Sequence, residues 1–170
     1  MFVNSIEEVL IALRRVIRAT DLHSRYLAKT IGLTAPQILL LQTIRDKGEV
    51  TIGELANKMS LSQATVTTIL DRLEKRKLVQ RKRSDKDKRK VHAYLTDDAF
   101  DMLKNAPVPL QDQFTRQYND LDEWEQTMII SSLQRVAQMM DAQHIDAAPV
   151  LDIGTLDRQD DSLMSNIDKT

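Results

Sequence analysis

The side chains best suited to bind another molecule cluster between Thr51 and Thr96, and their types indicate a binding surface without catalytic groups. One group has the spacing of a helix face: Ser62, Gln63, Ala64, Thr65, Thr67, Thr68 and Arg72. Glutamine can pair with the edge of an adenine, and threonine offers a hydroxyl and a methyl group. This group therefore predicts a helix that contacts bases in the major groove of DNA.

A second group is a basic run that follows shortly afterwards: Arg83, Lys86, Asp87, Lys88, Arg89 and Lys90. The segment 71–90 holds eleven Lys and Arg against four Asp and Glu, a net charge of +7 within a chain of net charge -1. Such a block attracts a polyanion. A thin tip that carries Arg89 fits a minor groove, and Asp87 is expected to order that tip by accepting hydrogen bonds. The alternative is a solvated hairpin without a partner.

Capping signals and periodicity predict the elements that position these groups. Thr51-Ile52-Gly53-Glu54 has the form of a capping box for a short helix to Met59, and Ser62 caps the next helix after a turn. A buried stripe on that helix leaves the polar group facing outward: Val66, Ile69, Leu70 and Leu73. Two β-branched, alternating runs predict a hairpin: Val79 to Arg83 and Val91 to Leu95. Taken alone, the helix pair also fits an ordinary helical hairpin with a solvated face.

The remaining sequence is predicted to be mainly α-helical. An amphipathic helix begins at the capping box of Ser5 and ends near Gly32, and a second follows the cap at Thr34. Pro107-Val108-Pro109 should bend or break a helix that starts at Asp97, and a last helix starts at Asp122. With 42% hydrophobic residues, four Gly and four Pro, the composition also favours helices over a many-turned β fold.

Several classes of function are excluded by the residue types present. The chain has no Cys, so disulfides, thiolate metal sites and thiol redox sensing are excluded. The three His lie far apart in the sequence, and no nucleophile sits beside a candidate base, so we expect neither a metal, a cofactor nor enzyme activity. No apolar run approaches the ~18 residues of a membrane span and no signal peptide is evident, so a cytoplasmic protein is expected.

The order of these pieces resembles the MarR family of bacterial winged helix-turn-helix transcriptional regulators. The matching segments are Leu33-Thr34 with Gln37, Thr51 to Ala56, Leu61-Ser62 with Thr65-Val66-Thr67, Leu73-Glu74-Lys75, Leu78-Val79 with Arg81, and Asp87-Lys88-Arg89 followed by Leu95-Thr96. The resemblance implies a homodimer that binds an inverted repeat in double-stranded DNA, more often as a repressor, and is released by a small-molecule effector. The family's wing arginine maps onto Arg89. Lys77 and Ala99 stand where the family commonly has glycine.

Apolar stripes on the first and last helices independently suggest a dimer, because a small winged-helix domain alone could not cover them. The predicted organisation is a dimerisation helix over 5–32, a winged helix-turn-helix domain over 33–96, dimerisation helices over 97–142 and a tail over 143–170. From Asp141 onward seven Asp face two basic residues, which predicts a flexible or loosely docked acidic tail.

The amino-terminal half, through Asp21-Leu22-His23 and the run Ile38 to Gln42, also resembles the branch of the family found beside genes for compatible solutes such as ectoine. That resemblance would make four aromatic residues candidates for a cation cage, with core packing as the alternative: Tyr26, Phe114, Tyr118 and Trp124. Two other functions remain open from the sequence. The basic hairpin could dock on an acidic protein partner, or it could bind RNA, although it lacks the interleaved aromatics that base stacking uses.

Overall fold

The computed structural model describes residues 3–85, 87–145 and 147–152, and it shows a mainly helical chain with one small sheet. The helices of this part are α1 (Val3–Ile31), α2 (Ala35–Lys47), α3 (Ile52–Met59), α4 (Gln63–Lys75), α5 (Asp97–Asn105), α6 (Leu110–Asn119) and α7 (Glu123–Met139). The strands are β1 (Val50–Thr51), β2 (Val79–Arg83) and β3 (Val91–Leu95). This arrangement confirms the predicted fold class, a mainly α chain with a winged helix-turn-helix.

Side-chain caps define the helix starts around the predicted binding elements. The Thr51 amide donates to Glu54 Oε2 at 2.8 Å, and the Glu54 amide donates back to Thr51 Oγ1 at 3.2 Å. The hydroxyl oxygen of Ser62 accepts from the Thr65 amide at 3.0 Å at the start of α4. These bonds satisfy amides that have no partner within the helix, so the polar residues fix where each helix begins.

The sheet has the order β1-β3-β2, and both pairings are antiparallel. In the hairpin, Val79 pairs with Leu95 and Arg83 with Val91, so the predicted strands have the predicted ends. The sequence analysis missed β1, in which Val50 pairs with Ala93. A strand of two residues is too short to show an alternating pattern.

Lys77, two residues after the end of α4, has the left-handed conformation in which glycine is usual, with φ of 59°. The backbone then turns sharply, because the amide of Leu78 donates to the carbonyl of Leu73 at 2.9 Å. A left-handed conformation costs a residue with a β-carbon about 1–2 kcal/mol relative to glycine. The strained residue Lys77 therefore lies two positions before the β2–β3 hairpin, which is the wing of this unit.

The core lies between α2, α3, α4 and the sheet, with smaller contributions from α1 and α5. Leu41, Leu55 and Leu70 are fully buried within it, and Leu27 of α1 and Leu103 of α5 close its sides. In contrast, α6 and α7 contribute no buried residue. The winged-helix unit therefore has its own core, whereas the helices at the two ends of the described chain leave large apolar side chains uncovered.

Within the described residues, no helix combines the length and the apolar character needed to cross a bilayer. In the same part of the chain, three or more His, Asp or Glu side chains do not converge as a metal site would require. Residues 153–170, most of the predicted tail, lie outside the described residues. The part of the predicted tail over 147–152 contacts α1, where the Ser24 hydroxyl donates to Asp152 Oδ1 at 2.7 Å, and α6, where the Leu151 amide donates to Gln111 Oε1 at 3.3 Å.

Candidate nucleic-acid interface

The first turn of α4 presents the most accessible of the predicted base-reading side chains. Ser62, Gln63 and Ala64 are exposed, and Thr65 is half-buried because its hydroxyl lies 2.8 Å from that of Ser62. Nε2 of the Gln63 side chain lies beside the first turn of α3. It is 3.7 Å from the position that a β-carbon on Gly53 would occupy. Gln63 therefore lies along the junction of the two helices, with its polar end accessible to a ligand.

Thr67 and Thr68 have fewer free hydrogen-bonding groups than their residue types suggest. Their hydroxyl groups donate to the carbonyls of Gln63 and Ala64 at 2.7 Å and 3.0 Å. Because each proton is used inside the helix, these side chains can present only an oxygen acceptor and a methyl group to a base. Arg72 is half-buried one turn further along the same helix.

The loop at the tip of the hairpin is ordered by a polar network around Asp87. The Asp87 carboxylate accepts from the Arg89 amide at 3.1 Å, and the Asp87 carbonyl accepts from the Lys90 amide at 2.8 Å. The Ser84 amide in turn donates to the Lys90 carbonyl at 2.9 Å. These contacts match the expected role of Asp87 in ordering the tip.

The basic side chains of the tip remain in solvent. The Arg89 side chain is 97% exposed, and its Nε lies 3.9 Å from Asp87 Oδ1, too far for a hydrogen bond. Arg83, Lys88 and Lys90 are also exposed. Lys86 lies outside the described residues. The described residues of the tip thus combine backbone hydrogen bonds around Asp87 with several solvated cations, which suits the tip to a narrow anionic groove.

A half-buried arginine joins the recognition helix to the hairpin, and the sequence analysis assigned it no such role. Nε of Arg81 donates to Glu74 Oε2 at 3.0 Å, and the Arg81 guanidinium also lies 2.6 Å from Asp71 Oδ1. The hydrogen bond to Glu74 raises the pKa of Arg81, so the guanidinium stays charged. The sequence does contain a signal for this contact: Arg81 follows the acidic residue Glu74 by seven positions, with a tight turn between them.

The other face of the hairpin also has polar contacts, because Tyr94 pairs with Gln80, the neighbour of Arg81. The Tyr94 hydroxyl donates to Glu49 Oε1 at 2.7 Å, which raises the pKa of Tyr94, and Nζ of Lys82 lies 5.7 Å from the centre of the Tyr94 ring. Tyr94 therefore ties β3 to the segment that precedes β1, and Lys82 ties β2 to Tyr94.

A cavity of about 290 Å³ lies where α2 and α3 of the winged-helix unit meet α6. Leu39 and Met59 form part of its apolar wall, and Gln42 donates to Asp112 of α6 at 3.3 Å. Pro149 and Val150 also line this cavity, and the Gln111 side-chain amide donates to the Pro149 carbonyl at 2.8 Å. The cavity is small, has both polar and apolar walls, and lies between the winged-helix unit and α6.

The aromatic residues considered for a cation cage do not converge as a group among the described contacts. Phe114 and Tyr118 stack on each other, with ring centres 5.7 Å apart and planes 26° apart. Tyr26 instead lies beside His23, at 6.4 Å between ring centres. Trp124 is 64% exposed. Core packing, the alternative, is not observed either, because Tyr26 and Phe114 are 54% and 48% exposed and α6 contributes no buried residue.

A capped helix with an outward polar face, tied to a basic β hairpin and supported by its own core, defines a winged helix-turn-helix DNA-binding domain. Residues 33–91 match the sequence model of the MarR family. The HTH-type transcriptional regulator MgrA of Staphylococcus aureus is 35% identical over 75 residues, which are 44% of this chain and 51% of MgrA. The chain thus carries a MarR-family domain of the kind found in DNA-binding transcriptional regulators.

The likeness extends beyond that domain in other relatives. The uncharacterized HTH-type transcriptional regulator YsmB of Bacillus subtilis is 26% identical over 129 residues, covering 76% of this chain and 88% of YsmB. BpsR of Bordetella bronchiseptica, whose DNA binding is regulated by 6-hydroxynicotinic acid, is 27% identical with a TM-score of 0.52, covering 76% of this chain and 98% of BpsR.

The fold itself is also that of MarR from E. coli. A mutant of that protein in complex with operator DNA has a TM-score of 0.54 and 24% identity, covering 80% of this chain and 98% of that one. The winged-helix fold predicted from the sequence is therefore confirmed. The individual DNA contacts assigned to α4 and the hairpin remain predictions.

Proposed function

We propose that the chain is a homodimeric repressor that binds an inverted repeat in duplex DNA and is released by a small ligand. The observation that carries this proposal is the uncovered apolar surface on the helices outside the winged-helix core. On α1, Ile6, Leu10 and Ile17 are 60–68% exposed, and on α7, Trp124 and Leu133 are 64% and 56% exposed. A second copy of the chain is the occupant that fits, because a two-fold axis would bury the same surface on both protomers.

In this arrangement each protomer contributes one recognition helix and one wing. The segments 5–32 and 97–142 would form the dimer, and 33–96 would hold the DNA. Two recognition helices related by a two-fold axis bind half-sites about 34–36 Å apart, or a multiple of that distance. Gln63 would read a base edge, while Arg89 would enter the adjacent minor groove.

The cavity between α2, α3 and α6 is the proposed effector site. A ligand there would contact both the DNA-binding unit and a dimerisation helix, so its binding energy could favour one relative orientation over another. Regulation of BpsR by a small molecule supports an effector of this general kind. The sequence resemblance to the compatible-solute branch makes genes for such solutes the first targets to examine.

The proposal is tested with a duplex from the region upstream of the gene itself. Purified full-length chain should shift that duplex in the presence of excess unrelated DNA, and footprinting should reveal two symmetric half-sites. Light scattering at micromolar concentration should give twice the chain mass of 19.5 kDa. A monomer that leaves the duplex unbound would contradict the proposal and would instead favour a hairpin that docks on an acidic protein partner.

A further inference from the structure

The carboxyl end of α1 is capped by a side chain from a distant part of the chain. The helix ends at Ile31, and Gly32 follows with φ of 64° while its amide donates to the Ala28 carbonyl at 2.9 Å. The last carbonyls of a helix lack intrahelical donors and carry its negative dipole end. Here they face the guanidinium of Arg76, the residue directly after α4.

Arg76 engages two of these carbonyls together. Nη1 donates to the Gly32 carbonyl, and Nη2 donates to the Ile31 carbonyl at 3.3 Å. The fit is close, because a β-carbon on Gly32 would lie only 3.2 Å from Nη2. The planar guanidinium offers donors in a fixed fork, so it holds both carbonyls in one geometry, which the point charge of a lysine cannot do.

The two helices joined by this contact have different proposed tasks. α4 is the recognition helix, and α1 carries the exposed apolar surface of Ile6, Leu10 and Ile17. On its other side α4 is fixed to the hairpin through Arg81. Recognition helix and wing therefore form one body, and Arg76 connects that body to the helix that would meet the partner protomer.

We propose that Arg76 is a positioning residue that sets the orientation of the recognition helix relative to α1, and so the separation of the two recognition helices in the dimer. This inference rests on the proposed dimeric function. Without the guanidinium, α1 would keep its apolar anchor at Leu27 but lose the polar contact at its end. The DNA-binding unit would then sample a wider range of orientations, and binding both half-sites at once would cost more entropy.

Binding to operators of different spacing tests this role. The full-length chain and its variants are titrated by fluorescence anisotropy against the footprinted upstream duplex and against versions with one or two base pairs added or removed between half-sites. Arg76→Ala should bind the natural spacing about tenfold more weakly and lose most of the preference for it. Arg76→Lys, which keeps the charge, should be intermediate. Lys75→Ala is the matched control, because it removes an exposed charge from the same turn.

A second measurement requires no DNA. The sequence contains no Cys, so a single Asn57→Cys on the exposed side of α3 can carry a spin label in each protomer. Arg76→Ala should broaden the distribution of label-to-label distances in the dimer, while light scattering and urea unfolding show that the dimer and the fold persist.

Each contrary result has a distinct meaning. An unchanged distance distribution and an unchanged spacing preference in Arg76→Ala would overturn the positioning role. An equal loss at every spacing, with a shallower salt dependence, would also overturn it and assign Arg76 to a phosphate contact. Failure of the wild-type chain to bind a two-fold operator would contradict the proposed function instead, since it does not depend on Arg76.

Discussion

At the scale of single residues, the outward face of α4 presents fewer hydrogen-bonding groups than its sequence implies. The Gln63 side chain is exposed, whereas Thr67 and Thr68 donate their protons to carbonyls of their own helix. Sequence reasoning identified the outward face from the buried stripe. It could not identify the hydroxyl directions, because these depend on side-chain rotamers that the pattern of residue types does not determine.

Replacement of Gln63 by Ala should relax base preference at one position in each half-site. The expected cost is about 1–3 kcal/mol for the preferred base and little for the other three, since a bidentate contact to a base edge is lost. Competition binding with operators changed at each position measures this. Gln113→Ala, an exposed glutamine on α6, should leave the base preference unchanged. A loss of equal size on every sequence would mean that Gln63 contacts phosphate.

Arg89→Ala should weaken operator binding at every sequence while leaving helix content and dimer mass unchanged. The side chain is 97% exposed, so its removal takes no packing from the core. Loss of one cation from the wing should lower the slope of log affinity against log salt by roughly one unit. Isotherms at several salt concentrations check this, with Arg45→Ala on α2 as an exposed control. Unchanged affinity would show that the hairpin does not touch DNA.

At the scale of elements, polar contacts join helices that share little apolar surface. Nε2 of His23 on α1 accepts a hydrogen bond from the Leu110 amide at the start of α6, at 3.0 Å. Burial lowers the pKa of His23, and only the neutral ring can accept this bond. Protonation of one imidazole therefore opposes the contact between these two helices.

This contact should give the fold a pH dependence of defined sign. Because the folded-state pKa of His23 lies below its unfolded value of about 6.5, the unfolded chain binds the proton more readily. The stabilisation is present above that value and is lost as pH falls through the lower folded-state pKa. Urea unfolding at pH 7.5 and pH 5.5 should show a smaller difference in His23→Gln than in His144→Gln, an exposed control. Identical differences in both variants would remove His23 from this role.

Most element boundaries follow from local chemistry that the sequence displays. The caps at Thr51, Ser62 and Thr96 and the interruption at Pro107 each act within a few residues, so they were predictable. The strand β1 was not, because its two residues depend on pairing with a strand more than forty positions away. The link from Arg76 to α1 also spans 44 positions, and no periodic pattern marks such contacts.

At the scale of the whole molecule, the uncovered helices predict that dimer formation and DNA binding fail together. Ile17→Asp or Leu133→Asp should yield a folded monomer, because both side chains are more than half exposed and lie outside the winged-helix core. The monomer should bind a two-half-site operator far more weakly, since the second recognition helix is lost. Light scattering and anisotropy measure the two effects. Dimers of normal mass in both variants would place the interface elsewhere.

The length of α1 would give the proposed dimer interface leverage over the DNA. The helix has 29 residues, and at about 1.5 Å per residue it is roughly 44 Å long. If it pivots by about 5° at its first turns, its far end moves by about 4 Å, which exceeds the rise of about 3.4 Å per base pair. A ligand that shifts the dimer end by less than one bond length would therefore move each recognition helix out of register with its half-site. The length of α1 would then set how small a shift at the dimer end releases the DNA. The affinity for the ligand would set only the ligand concentration at which this release occurs.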